Sequence, residues 1–304
     1  MKRVVAIVGP TAVGKTKLSI GLAKAIDGEI INGDAMQIYR GLDIGTAKIT
    51  DEEMDGVPHH LIDEFPPDAT YSVAAYQQAV RGKIDEISAR KKVPIIVGGT
   101  GLYVKSVLYD YEFKEESKEK EEQYDTLSNE EVHQLLMAVD PESGGVLHPN
   151  NRRRVVRALN IFNETHEKKS DALEKQEKKM LYDCFLIGLT DEREALYERI
   201  NARVDDMLAK GLVDEIKGLR QMGVLRSAQS MQAIGYKEIY DYLDGLTDYE
   251  TAVELVKRNS RRLAKRQFTW FNNQMNVTWY AVDVAAFGTT VTQIVQDTQF
   301  FLEK

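Results

Sequence analysis

The chain opens on five apolar, largely β-branched residues, Val4, Val5, Ala6, Ile7 and Val8. A run this short without a polar interruption predicts a buried strand. Helical spacing follows over 17–25. Residues 29–32 (EIIN) predict a second short strand that ends in the polar turn Gly33-Asp34. Across 71–89 the apolar residues Val73, Tyr76, Val80, Ile84 and Ile87 recur at helical intervals, and 93–97 is another buried strand, ending in Gly98-Gly99-Thr100-Gly101. Strands alternating with helices imply a parallel sheet whose ligands sit beyond the carboxyl ends of the strands. Three such ends stand out: the loop after Val8, Asp34 and Thr100. All three are expected to open onto one crevice.

The pattern changes near residue 112. Residues 112–125 are crowded with Glu and Lys, as in a solvated helix or loop; 129–139 and 151–162 are helical, and 166–179 is polar again. The stretch 113–181 therefore reads as a small all-helical insertion between two parts, 1–112 and 182–304, of one α/β core. Strand character returns at 184–189 (CFLIGL), followed by helices over 193–221, 231–243 and 249–275. The fold class expected is α/β: a parallel sheet of the P-loop NTPase kind flanked by helices, with the helical insertion. No internal repeat is apparent.

Composition narrows this little. A chain of 304 residues is long enough for two packed units, and 43 % apolar with 29 % charged residues is ordinary for a soluble globular protein. No apolar run approaches the roughly 18 residues of a membrane helix, and the start lacks a secretory apolar segment. The single cysteine, Cys184, sits in an apolar run and is expected to be buried; one cysteine excludes an internal disulfide and a cysteine-based zinc cluster. A cytoplasmic monomer is expected. The net charge of −8 argues against indiscriminate binding of nucleic acid, yet leaves room for a local basic face.

The chemistry begins after the first strand. Gly9-Pro10-Thr11-Ala12-Val13-Gly14-Lys15-Thr16 fits G-x-x-x-x-G-K-[ST] at every fixed position, between a strand and a helix. Backbone N–H groups of such a loop cradle phosphate oxygens, Lys15 adds a point charge, and the Thr16 hydroxyl can hold Mg²⁺. The loop reports a diphosphate and not its owner: nucleotide hydrolysis, kinase chemistry and transfer from another diphosphate remain open. Asp34, at a strand end, suits a general base, a Mg²⁺ ligand or a helix cap. Thr100 in GGTGLY offers a hydroxyl beside backbone that a ligand can approach. His59-His60 lacks further ligands at metal spacing and is read as structural. On the last long helix Lys257, Arg258, Arg261, Arg262, Lys265 and Arg266 fall within one half of the wheel, without an interleaved acid, as a phosphate-binding face would. Arg152, Arg153, Arg154 and Arg157 make a second basic patch. Arg203, with Asp205 and Asp206 nearby, would by itself pass as a surface ion pair.

With those residues in hand, the sequence resembles the bacterial tRNA dimethylallyltransferases. The segments that carry the resemblance span nearly the whole chain: GPTAVGKT, GDAMQIYRGLDIGTAK, HHLID, GGTGLYV, DPES with HPNNRRRVVRAL, ERINARVDDMLAKGLVDEI, AIGYKE and RRLAKRQFTWF. The resemblance implies a P-loop fold used for transfer, the loop gripping the diphosphate of dimethylallyl diphosphate. It implies Asp34 as the general base on the N6 amine, Thr100 beside the same reaction centre, and Arg203 neutralising the departing diphosphate. Contacts to the anticodon stem-loop of tRNA are implied for Asp34, Ala35, Met36, Gln37, Arg153, Arg154, Arg157, Gly235, Tyr236, Lys237, Lys265, Arg266, Gln267 and Trp270. Mg²⁺ at Thr16 is the implied cofactor. Three departures stand out. Ala35 replaces the usual serine, Thr165-His166 replaces Thr-Gly, and no arginine occurs between Asp110 and Gln134, where Lys118 or Lys120 could substitute. The rival expectations are prenyl transfer to free AMP, ADP or ATP, and a small-molecule kinase.

Overall fold

The structure, a computed structural model, describes residues 1–111, 113, 122–166, 168, 179–283 and 286–304; Lys118 and Lys120 lie outside them. The chain divides into two compact units, Met1–Tyr109 with Met180–Lys304, and Asp110–Lys179.

The larger unit is built on a six-stranded sheet of order β3-β2-β4-β1-β5-β6 in which every pairing is parallel. Its strands are β1 (Arg3–Val8), β2 (Gly28–Asn32), β3 (His59–His60), β4 (Val93–Val97), β5 (Asp183–Thr190) and β6 (Thr278–Ala281). β1 lies between β4 and β5, and Val4 to Val8 are fully buried, as a central strand covered on both faces requires. The helices around it are α1 (Lys15–Ala25), α2 (Asp51–Met54), α3 (Val73–Ala89) and α4 (Gly101–Leu108). α3 starts where Ser72 Oγ accepts from Ala75 N at 3.1 Å, and its Tyr76, Val80, Ile84 and Ile87 are the buried stripe that the periodicity predicts.

The smaller unit holds α5 (Asn129–Val139), α6 (Pro141–Val146) and α7 (Arg152–Thr165). A capping box of Ser128 and Glu131 opens α5, and Val132, Leu136, Val155, Val156 and Leu159 form a core of their own. Arg152 is committed to this core's frame, donating to Leu127 O at 3.0 Å and Asn129 Oδ1 at 3.2 Å. Arg153, Arg154 and Arg157 stay exposed.

The remaining helices belong to the larger unit: α8 (Arg193–Ala209), α9 (Leu212–Gln221), α10 (Tyr236–Leu243), α11 (Tyr249–Gln274) and α12 (Phe287–Glu303). Two spans expected as single helices are divided. The span 193–221 breaks at Lys210-Gly211, where Gly211 adopts φ +100°. The span 231–243 starts as one 3₁₀ turn (Ser230–Gln232), and regular helix begins only after Gly235. β3, β6, α4 and α12 were not expected as elements. Among the described residues no helix is long and apolar enough to cross a membrane.

Candidate active site

The carboxyl ends of β1, β2 and β4 meet in a cleft of about 440 Å³, lined within the larger unit by Thr11, Asp34, Ala35, Met36, Thr100 and Arg203. Gly235, Arg266, Gln267 and Trp270 line it as well, and Ile200, Val204, Met207, Val256 and Leu263 give it an apolar wall.

The phosphate loop starts at Gly9, whose φ of +137° and whose neighbour Leu189 O, 2.6 Å from where a Cβ would stand, both exclude a side chain. Gly14 caps α1 in the left-handed conformation, as does Ala12 within the loop. Lys15 is folded back, Nζ donating to Gly9 O at 3.0 Å and to Pro10 O at 2.7 Å. Burial and, less strongly, the positive charge of Arg203 push its ammonium down to about 7, against the opposing pull of Asp34. Lys15, Arg203 and Asp34 thus act on one another. The Thr16 hydroxyl group stands at the exposed N-terminus of α1.

Asp34 is held by a turn of its own. Its backbone N–H donates to Asn32 Oδ1 at 2.9 Å, Asn32 Nδ2 donates to Asp34 O at 3.0 Å, and Asp34 Oδ1 accepts from Met36 N at 2.8 Å. Among the described residues Asp34 Oδ2 carries no hydrogen bond, so one carboxylate oxygen is free to act. Thr100 Oγ1 accepts from Ala35 N at 3.3 Å, which ties the β4 end to the β2 end and leaves the hydroxyl proton available to donate. Arg203 is half-buried on α8. Burial lowers its pKa, while Asp34 and Glu53 pull it back up. It is not the surface ion pair its sequence neighbours suggest: Asp205 instead binds Lys257 at 2.7 Å.

Several supporting residues were invisible to motif reading. Arg199, one turn before Arg203, donates from Nε to Ala12 O at 3.2 Å and pairs with Asp191 at 2.5 Å, so it steadies the left-handed turn of the phosphate loop. Glu215 on α9 accepts from the backbone N–H groups of Asp43 (3.0 Å), Ile44 (2.6 Å) and Gly45 (3.2 Å), and from the Tyr236 hydroxyl at 2.5 Å. This carboxylate fixes the loop that brings Gly45 and Thr46 to the cleft. Its sequence signal was its place in the segment ERINARVDDMLAKGLVDEI, which by itself assigns the carboxylate no role.

The residues expected to meet RNA are placed unevenly. Met36 and Gln37 are half-buried beside Asp34, and Lys237, Lys265 and Arg266 are exposed. Tyr236 is corrected: it is fully buried, its ring against Gly45 and its hydroxyl on Glu215, so no part of it can reach RNA. The cationic face of α11 is smaller than its wheel suggests. Lys257 is bound to Asp205 and Arg261 donates to Asn201 Oδ1 at 2.5 Å, both on α8, which leaves Arg258, Arg262, Lys265 and Arg266 exposed. His60 Nε2 lies 2.7 Å from Glu29 Oε2, which Arg90 also binds at 2.7 Å, a structural cluster as its sequence context suggests.

This chain is similar to proteins of one kind. Relatives named tRNA dimethylallyltransferase from Bacillus cereus (strain AH187) and Bacillus anthracis are 58 % and 57 % identical over 287 residues, covering 92 % of this chain and 90 % and 91 % of theirs. A solved tRNA isopentenylpyrophosphate transferase from Bacillus halodurans is 47 % identical with a TM-score of 0.77, the match covering 100 % of this chain and 97 % of that one. A eukaryotic dimethylallyltransferase acting on tRNA is 30 % identical with a TM-score of 0.86, over 100 % of this chain and 80 % of that one. The family model described as IPP transferase matches residues 37–274, and the chain belongs to that family.

Proposed function

We propose that this chain is a tRNA dimethylallyltransferase. It moves the dimethylallyl group from dimethylallyl diphosphate to the exocyclic N6 of an adenosine adjacent to the anticodon, and it releases diphosphate. The observation that carries the reading is the convergence of a phosphate loop, the Asp34 carboxylate, the Thr100 hydroxyl and the Arg203 guanidinium around one cleft.

An adenine amine is a poor nucleophile, so the allylic C1 must become strongly electrophilic. The C1–O bond breaks with its electron pair leaving on the diphosphate, whose growing charge is met by the loop amides, Lys15 and Arg203. The N6 lone pair closes the C–N bond, and the proton made acidic by that bond passes to the free oxygen of Asp34. Thr100, its lone pair already engaged by Ala35 N, offers its proton at the same centre. The apolar wall of Ile200, Val204, Met207 and Leu263 suits a hydrocarbon tail and keeps water from the electrophile.

Magnesium suits the residues present in one way. Among the described residues no group of three or more His, Cys, Asp or Glu could hold a metal. The exposed Thr16 hydroxyl at the loop's end fits an ion that arrives with the diphosphate and keeps most of its waters. When bound, it supplies charge neutralisation at the leaving group.

The acceptor is read as an RNA rather than a free nucleotide because Arg266 lines the cleft and Arg258, Arg262 and Lys265 add exposed positive charge along the same helix. The target base leaves its stack to enter the cleft, and its neighbours' phosphates are held outside. Asp34→Asn is expected to lower the transfer rate by about 10²- to 10⁴-fold, the range for removing a general base. The same variant should leave pyrophosphate binding, measured by calorimetry, largely intact; loss of that binding would show that the base role is misassigned.

A further inference from the structure

Gln267 stands on α11 directly after Arg266, in a segment for which the family resemblance implies contact with RNA. Its amide is used inside the protein. Oε1 accepts from Thr11 N at 2.9 Å, and Nε2 donates to Gly99 O at 3.1 Å. The fit is close: a Cβ on Gly99 would run into Gln267 Nε2 and displace the amide from this position.

The two loops joined in this way carry the two halves of the chemistry. Thr11 belongs to the phosphate loop after β1, and Gly99 immediately precedes Thr100 after β4. Within the sheet these strands are held together from Val5↔Ile95 to Ile7↔Val97, and one further backbone bond follows, Gly98 N donating to Ile7 O at 3.1 Å. Beyond that point no backbone bond joins the two loops among the described residues, and the Gln267 side chain bridges them. Bridging an N–H on one loop and a C=O on the other needs an acceptor and a donor on one planar group. A primary amide supplies both; a carboxylate or an ammonium supplies only one.

We propose that Gln267 is a positioning residue that pins the phosphate loop to the Thr100 loop, and that its amide does not contact RNA. The amide sets the spacing between the diphosphate held by one loop and the hydroxyl presented by the other. It does so from the helix whose neighbouring cations face outward, which is how a residue inside an RNA-facing segment comes to serve the donor side. The transfer reading above supplies only the identity of the diphosphate's owner; the pinning stands on the geometry.

The test is Gln267→Ala and Gln267→Glu in the full chain, with pyrophosphate affinity measured by calorimetry and unmodified tRNA affinity by filter binding at fixed salt. Thermal unfolding of each variant checks the fold, and Gln267→Glu keeps the side chain's length should the smaller residue fail to fold. Gln267→Glu retains an acceptor for Thr11 N and puts an oxygen against Gly99 O. Both variants are expected to weaken pyrophosphate binding by about tenfold, the scale of one hydrogen bond's net worth at a binding loop. tRNA affinity should stay within about twofold, as expected when no phosphate or base contact is lost. Unchanged pyrophosphate affinity, or a tenfold loss of tRNA affinity with or without it, would overturn the proposal. A wild-type protein that binds pyrophosphate but labels no tRNA would count against the transfer reading and leave this measurement valid.

Discussion

Lys15 carries a charge that its surroundings resist. In an unfolded chain a lysine titrates near about 10.4, and here burial and Arg203 bring it down to about 7. The folded state therefore disfavours the ammonium, with a penalty that is full below about pH 7 and fades as pH rises toward 10.4. Lys15→Met is expected to raise the thermal midpoint at neutral pH and to lose that gain by about pH 10.5. A gain that stays constant over that range would mean that the lysine's charge is not strained. Such strain is useful, because a diphosphate restores the counter-charge and is bound by a group poised to be relieved. The identity of this residue was legible from the motif, as was the placement of Asp34 and Thr100 at strand ends. Arg203 was legible only through the family resemblance, because its sequence neighbours Asp205 and Asp206 mask its direction. On a helix, positions 203 and 205 point about 200° apart, so one can enter a cleft while the other faces a neighbouring helix. Arg199 and Glu215 act through backbone groups far away in sequence, and residue type alone gives no sign of that.

At the scale of elements, α11 shows what a helical wheel can and cannot establish. The wheel correctly separates cations from the buried Ala252, Val256 and Phe271. It cannot say which cations a packed neighbour consumes, and α8 takes Lys257 and Arg261. This division can be measured. Lys265→Ala with Arg266→Ala is expected to reduce the slope of log affinity for tRNA against log salt by about one to two units, as fewer counterions are released. Lys257→Ala should leave that slope unchanged, since its charge is already matched by Asp205. A slope insensitive to the double variant would mean that RNA docks elsewhere. Helix boundaries were least legible where a glycine interrupts a continuous apolar pattern. At Gly211 and Gly235 the chain turns with positive φ while the same hydrophobic face continues past the break.

At the scale of the molecule, the alternation of strands and helices fixes a parallel sheet, and the buried run of Val4 to Val8 marks its centre. The edges were hidden for a physical reason. β3 is two histidines and β6 is Thr278–Ala281, both short and only half-buried, so neither carries the apolar signature of an inner strand. Strand order was equally out of reach, because it depends on which crossovers pack and not on any local pattern. Once the order is known, the cleft follows: the ends of β1, β2 and β4 are neighbours, and everything singled out at those ends lands together. In the smaller unit Arg153, Arg154 and Arg157 are exposed on α7. Purified protein given labelled dimethylallyl diphosphate and equal concentrations of unmodified tRNA and AMP should label the tRNA and leave the AMP unlabelled. Label on AMP alone would show that the acceptor is a free nucleotide and not tRNA.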